Sequence, residues 1–349
     1  NPAESFWRPI PQGLYFRLLL ALGPAGGFAG HLLNLFALAV CAALVARLAA
    51  RLAGERVAMT AGLVFAISSV VPSLVAWTSA SQDLFAMLLL LIALHLRASG
   101  KIAASAAAAA AALLSKETAA VALPVLVGWD WLLGRRSSRI GRGLAGYGFV
   151  AAGWFAVHPG LRALAQAGLQ SGTTGYVGLE RPERWWDYLI RYVVSLLNFP
   201  VNAAAWQGRL TAAAIAATAA IALLLPNAMR GLASGDAAPR GPETRRIALV
   251  ALLLAIPPIL LPSLLVRPWA TYFAALAVPG LALLVAPYLA RLAPRTLTAV
   301  LIGFLLLGVW ARGMDARGNG RVLTEQRFAE ASRATRTISS GSCSVRTRR

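Results

Sequence analysis

Two short polar clusters interrupt an otherwise apolar sequence and carry the side chains best able to do chemistry. They are Trp77-Thr78-Ser79-Ala80-Ser81-Gln82-Asp83 and Ser115-Lys116-Glu117. A carboxylate can take the proton from an attacking hydroxyl. Cations can neutralise a departing phosphate, and arginine can grip one through two parallel hydrogen bonds. Together with Glu4, Arg8, Arg267 and Tyr272, the clusters make a set of carboxylates, cations and aromatics suited to group transfer from a phosphate-linked donor. In that reading Glu4 and Asp83 are the candidate catalytic carboxylates. Arg8, Lys116 and Arg267 are the candidate phosphate-binding cations, and Trp77, Glu117 and Tyr272 line the substrate cavity. The plainer reading is that each charge caps a helix or marks a membrane interface.

The elements that must position these residues are membrane helices. The chain has 349 residues, 58% of them hydrophobic and 13% charged, with a mean hydropathy of +0.66. Soluble domains carry about 25% charged residues, and about 20 apolar residues span a bilayer. Between the clusters lie two apolar segments, 84–96 and 102–114, joined by Arg97-Ala98-Ser99-Gly100-Lys101. Two crossings return both clusters to one face. Basic residues collect in short cytoplasmic loops, so Arg97 and Lys101 place the clusters on the extracytoplasmic side. Ionisable groups at that depth are expensive, which makes them functional candidates.

The rest of the chain extends this pattern. Residues 1–27, with Phe6-Trp7-Arg8-Pro9 and Tyr15-Phe16-Arg17, read as an interfacial helix in an external loop, ended by Gly23-Pro24. Crossings are expected near 30–50, 57–76, 118–133, 143–158, 210–229, 247–264, 269–290 and 296–311, which with the two above makes about ten. Residues 159–208 read as an external loop with an aromatic interfacial helix at Arg184-Trp185-Trp186-Asp187-Tyr188. Residues 313–349 form a basic polar tail, and 1–312 form the membrane domain. The net charge of +20 sits mostly in arginines between apolar runs, where it sets topology and does not call for nucleic acid. Cys41 and Cys343 give no disulfide framework, and His31, His95 and His158 lack metal-ligand spacing. No cofactor is expected beyond a lipid-linked donor as substrate, and the residues show no clear metal site while leaving metal dependence open.

Several motifs carry a resemblance. Arg8-Pro9 after aromatics, Leu22-Gly23 and His31-Leu32-Leu33-Asn34 come first. Val75-Ala76-Trp77-x-Ser79-x-x-x-Asp83-Leu84, then Leu113-Leu114-Ser115-Lys116-Glu117-x-Ala119, then Arg267-x-x-x-x-Tyr272 with Pro279 follow in order. The series resembles the integral-membrane glycosyltransferases of the GT-C superfamily. These include protein O-mannosyltransferases and aminoarabinose transferases, and the tetratricopeptide-linked transmembrane branch is the most similar. The spacing from Arg267 to Tyr272 is wider than is usual in that family.

The resemblance implies an all-α polytopic bundle of GT-C type in a bacterial inner membrane. It implies an enzyme that moves a sugar from a polyprenyl phosphate to a protein or glycolipid acceptor on the outer face. Arg8, in the family's basic position before proline, would contact the donor phosphate, and Arg267 would act similarly. The family's catalytic acid lies just after a first membrane helix, so the resemblance also implies that this chain begins inside the first external loop, with the acid upstream. The alternative is a non-catalytic scaffold of the same build, or a lipid or solute transporter. Transporters pair broken helices at the membrane midplane, whereas the charges here gather at one face.

Overall fold

The computed structural model describes residues 7–76, 80–132, 137–159, 182–199, 242–265 and 271–311. Among these residues the chain is helical, with no strand. A π-helical turn, Ile10–Tyr15, runs into α1, Phe16–Ala21. After the turn at Gly23–Ala25 come α2, Gly26–Ala53, and α3, Glu55–Ala66. Next are α4, Pro72–Ala76, α5, Ser81–Ala98, and α6, Ile102–Ser115. A tight turn at Glu117–Val121 leads to α7, Ala122–Leu132, and α8, Ser137–Val157. Then come α9, Pro182–Leu196, and α10, Pro242–Leu265. The turn Thr271–Ala277, α11, Val278–Leu289, and α12, Pro294–Ala311, complete the described chain.

Among the described residues, five helices are long and apolar enough to cross a membrane. They are Gly23–Ala53, Ser81–Ala98, Arg246–Ser263, Tyr272–Leu289 and Pro294–Ala311. Ile102–Ser115 and Glu117–Trp129 are apolar but shorter. The expected crossing near 210–229 and the basic tail lie outside the described residues. Large apolar side chains cover the outside of the bundle: Phe28 is 71% exposed, Phe36 70% and Phe149 81%. A water-soluble surface does not carry so much contiguous apolar area, and a lipid-facing one does. The chain is an all-α protein of membrane type.

Packing follows side-chain size. Cys41, Leu48, Phe65, Leu74, Leu84, Leu91 and Leu94 form part of one buried core. Gly280 of α11 lies against α10 so closely that a β-carbon there would be 2.5 Å from Ala255 N and 2.6 Å from Ala251 O. Small residues permit this approach where no hydrophobic drive joins helices in lipid. The α5–α6 hairpin turns at Gly100, whose φ of +80° suits glycine.

One expected crossing is built differently. Residues 57–76 form α3 and α4, separated by a turn through Ile67–Val71. Pro72 disfavours helix at the residue before it and supplies no amide donor. The freed backbone is answered by Asn198, two residues past α9: its Oδ1 accepts from Ser69 N at 2.7 Å and its Nδ2 donates to Ile67 O at 3.2 Å, and also to Phe304 O of α12 at 2.8 Å. Asn198 adopts φ +64°, a conformation asparagine tolerates better than most residues.

Candidate functional site

The site begins with helix ends. Asp83 sits in the first turn of α5, and Lys116 follows the last residue of α6 in an extended conformation. A negative charge is favoured at a helix N-terminus and a positive one at a C-terminus. The antiparallel hairpin brings these two ends together, and Lys116 Nζ donates to Asp83 Oδ2. Both side chains are buried, 5% and 3% exposed. Lys116 Nζ also lies 4.8 Å from the Phe273 ring centre and 5.1 Å from that of Tyr272, within cation–π range.

The N-terminal segment closes over this pair. Arg8 Nε donates to Glu117 Oε1 at 3.0 Å and to Oε2 at 2.9 Å, and Arg8 Nη2 donates to Oε2 at 2.7 Å. Arg8 Nη1 donates to Gln82 Oε1. The segment is held in place by Tyr15, whose hydroxyl reaches Gly30 O at 3.1 Å and Asn34 Oδ1 at 3.0 Å. The Tyr15 ring meets Phe85 of α5 edge-on at 5.1 Å. Burial pushes the Tyr15 phenol up in pKa, against its hydrogen bond to Asn34. Asn34 Nδ2 donates to Leu74 O at 3.2 Å, and His31 Nδ1 lies 2.8 Å from Val75 O. The His31–Asn34 motif thus ties α4 to α2 and supports the site from one layer behind.

His158, at the end of α8, completes the arrangement. Its Nε2 is 3.6 Å from Glu117 Oε1, and its ring meets Trp154 at 5.1 Å and Trp7 at 6.1 Å, both edge-on. Burial pushes the Glu117 carboxyl up in pKa, but hydrogen bonding to His158 and Arg8 outweighs it and holds the group at about 2. At 3.6 Å the His158 contact is long for a hydrogen bond, so the three short Arg8 bonds carry more of that effect.

Of the candidate residues, Arg8, Asp83, Lys116, Glu117 and Tyr272 lie together at one end of the bundle. Glu4, Trp77 and Arg267 lie outside the described residues. Sequence reasoning gives no site role to Gln82, Trp7, Trp154, Phe273 or His158. The signal for His158 was available: it ends a segment predicted to exit on the same face, four residues after Trp154. Among the described residues no group of three His, Cys, Asp or Glu side chains is placed to hold a metal ion.

Chemically, the site offers two cations, two carboxylates, a histidine and several aromatic faces at the rim of a membrane bundle. Glu117 is the more open carboxylate, with its side chain 25% exposed. Together the fold and the site define a helical membrane protein with a paired-charge cluster at one end. No family model, curated protein or solved structure matches this chain.

Proposed function

We propose that this protein is a membrane glycosyltransferase of the GT-C type. It takes a sugar from a polyprenyl-phosphate donor and passes it to a protein or glycolipid acceptor at the extracytoplasmic face of a bacterial inner membrane. The full bundle in this reading has about ten crossings. The observation that supports it is the meeting of Arg8 with Glu117 beside the Lys116–Asp83 pair at one end of the bundle.

The chemistry is a displacement at the anomeric carbon. The acceptor oxygen bonds to that carbon, and the bond from carbon to the phosphate oxygen breaks with its electron pair going to the phosphate. A carboxylate removes the acceptor's proton. Glu4 and Asp83 are the candidates from sequence, and the greater openness of Glu117 adds it to them. Arg8, Lys116 and Arg267 offset the charge that grows on the leaving phosphate. The aromatic faces of Trp77 and Tyr272 suit the sugar and lipid parts of the donor.

A specific observation favours a second reading. Arg8 and Lys116 already hold internal carboxylates, as in a non-catalytic scaffold whose charges only lock helices. The two readings part on Arg8. Transfer is assayed with full-length, membrane-inserted protein and a panel of polyprenyl-phosphate sugars. If Arg8 grips phosphate, Arg8→Ala lowers kcat/KM by about 2–4 kcal/mol of transition-state stabilisation, and Arg8→Lys restores part of it. Normal turnover in Arg8→Ala would remove the assignment, and absence of transfer with every donor would favour the scaffold.

A further inference from the structure

The opposite end of the bundle has a different electrostatic arrangement. There the α2–α3 turn meets the turn before α12: Arg56 Nη2 donates to Leu292 O at 3.0 Å, and α3 packs against α11. This contact brings Arg56, Arg291 and Arg295 into one neighbourhood, all three exposed. Arg291 lies 5.7 Å from the Tyr288 ring centre. Unlike Arg8 and Lys116, none of the three pairs with a carboxylate among the described residues. Glu55, the acid beside Arg56, is exposed and makes no ion pair there.

Below these arginines the surface turns apolar in register. On α3, Met59 and Leu63 are 60% and 41% exposed, three and seven residues after Arg56 and so on its face. On α12, Ile302 and Leu306 are 51% and 62% exposed, seven and eleven residues after Arg295, again on one face. The two helices are tied at two levels: Arg56 bonds Leu292 O just before α12, and Asn198 bonds both Ile67 O, just past α3, and Phe304 O, midway along α12. Each helix therefore presents a cation at the bundle's end and an apolar stripe leading away from it.

We propose that this end binds an anionic phospholipid, with its phosphate on Arg56, Arg291 and Arg295 and its acyl chains along the exposed stripes of α3 and α12. Three neighbouring guanidinium groups repel one another, and a phosphate relieves that repulsion through charge-assisted hydrogen bonds. The apolar stripes make a lipid the occupant and exclude a free anion. Basic pockets beside membrane helices recognise anionic headgroups by this chemistry. The inference stands apart from the transfer reaction and does not depend on it.

The test is native mass spectrometry of the full-length protein in detergent, offered phosphatidylglycerol and phosphatidylcholine with identical chains. Phosphatidylglycerol should be retained in preference, and Arg56→Gln or Arg295→Gln should each weaken retention by about fivefold. Arg295→Lys should keep most of it, and Arg142→Gln, an exposed arginine on α8, should leave it unchanged. Among the described residues Arg295 has no side-chain hydrogen-bond partner, so its variant tests the site even if Arg56→Gln disturbs folding. Equal retention of the two lipids would overturn the proposal. So would an Arg142→Gln effect as large as that of Arg295→Gln, which would mean diffuse surface attraction. Displacement of the lipid by inorganic phosphate alone would also overturn it, because the apolar stripes would then contribute nothing.

Discussion

At the scale of the residue, the two ion pairs of the candidate site differ in kind. Lys116 and Asp83 are enclosed, so removing one partner strands a charge away from water. Lys116→Ala should therefore destabilise the protein by about 3–5 kcal/mol, whereas replacing both members with apolar residues of similar size should recover most of the loss. Thermal unfolding of the single and double variants in detergent checks this. An unchanged midpoint in Lys116→Ala would show that water reaches the pair. Glu117 faces partly outward, and its folded-state pKa of about 2 lies below the ordinary 4.5. Its stabilisation is therefore complete above the ordinary value and is lost as pH falls towards about 2. The wild-type unfolding midpoint should fall through this window, and Glu117→Gln should lose that part of the fall. Identical acid limbs in the two proteins would show that the Arg8–Glu117 pair adds nothing to stability.

At the scale of the element, the α5–α6 hairpin was legible because two polar clusters bracket two apolar runs with a short basic turn between them. That pattern allows one arrangement of the ends, and Asp83 does meet Lys116. The break in residues 57–76 was harder to read. Hydropathy averages over Ser68, Ser69 and Pro72, and the residue that satisfies the freed backbone, Asn198, lies 129 positions away from Ser69. The segment ending at His158 puts it on the site's face, but only the packing of α8 against α6 and α7 brings it to Glu117. The sidedness of the hairpin remains a prediction of the charge rule. Ser81 and Ser115 sit at the site end but are buried, so they make poor reporters. Gly13 is exposed and has open space for a side chain, and Ser99 is exposed at the opposite turn. With Cys343 replaced by serine, Gly13→Cys should react with an impermeant thiol reagent in intact cells, and Ser99→Cys only after lysis. The reverse pattern would place the candidate site in the cytoplasm.

At the scale of the whole molecule, the distribution of apolar surface matters more than any single contact. A core of buried alanine, leucine and valine is common to soluble and membrane proteins, so it does not distinguish them. The outside does. On α2 the exposed positions include Phe28, Leu32, Leu35 and Phe36, and the helix has no charged residue before Arg47. In water such a stripe would be an aggregation hazard, and a charge placed on it would be neutral or helpful, because exposed substitutions usually shift stability by less than about 0.5 kcal/mol. In a bilayer the same charge opposes insertion, at roughly 2.5–3.5 kcal/mol for an aspartate near the helix centre. Phe36 is 70% exposed and lies in the interior of Gly26–Ala53, so it separates the two cases. Phe36→Asp should reduce the fraction of protein recovered in carbonate-washed membranes, while Phe36→Leu should match the wild type. Leucine is the necessary control, because it removes the aromatic ring and keeps the apolar surface. If Phe36→Asp gave soluble, monomeric, folded protein, the exposed face of α2 would not be in contact with lipid. The membrane reading, and with it both the donor-lipid site and the anionic-lipid site, would then fail together.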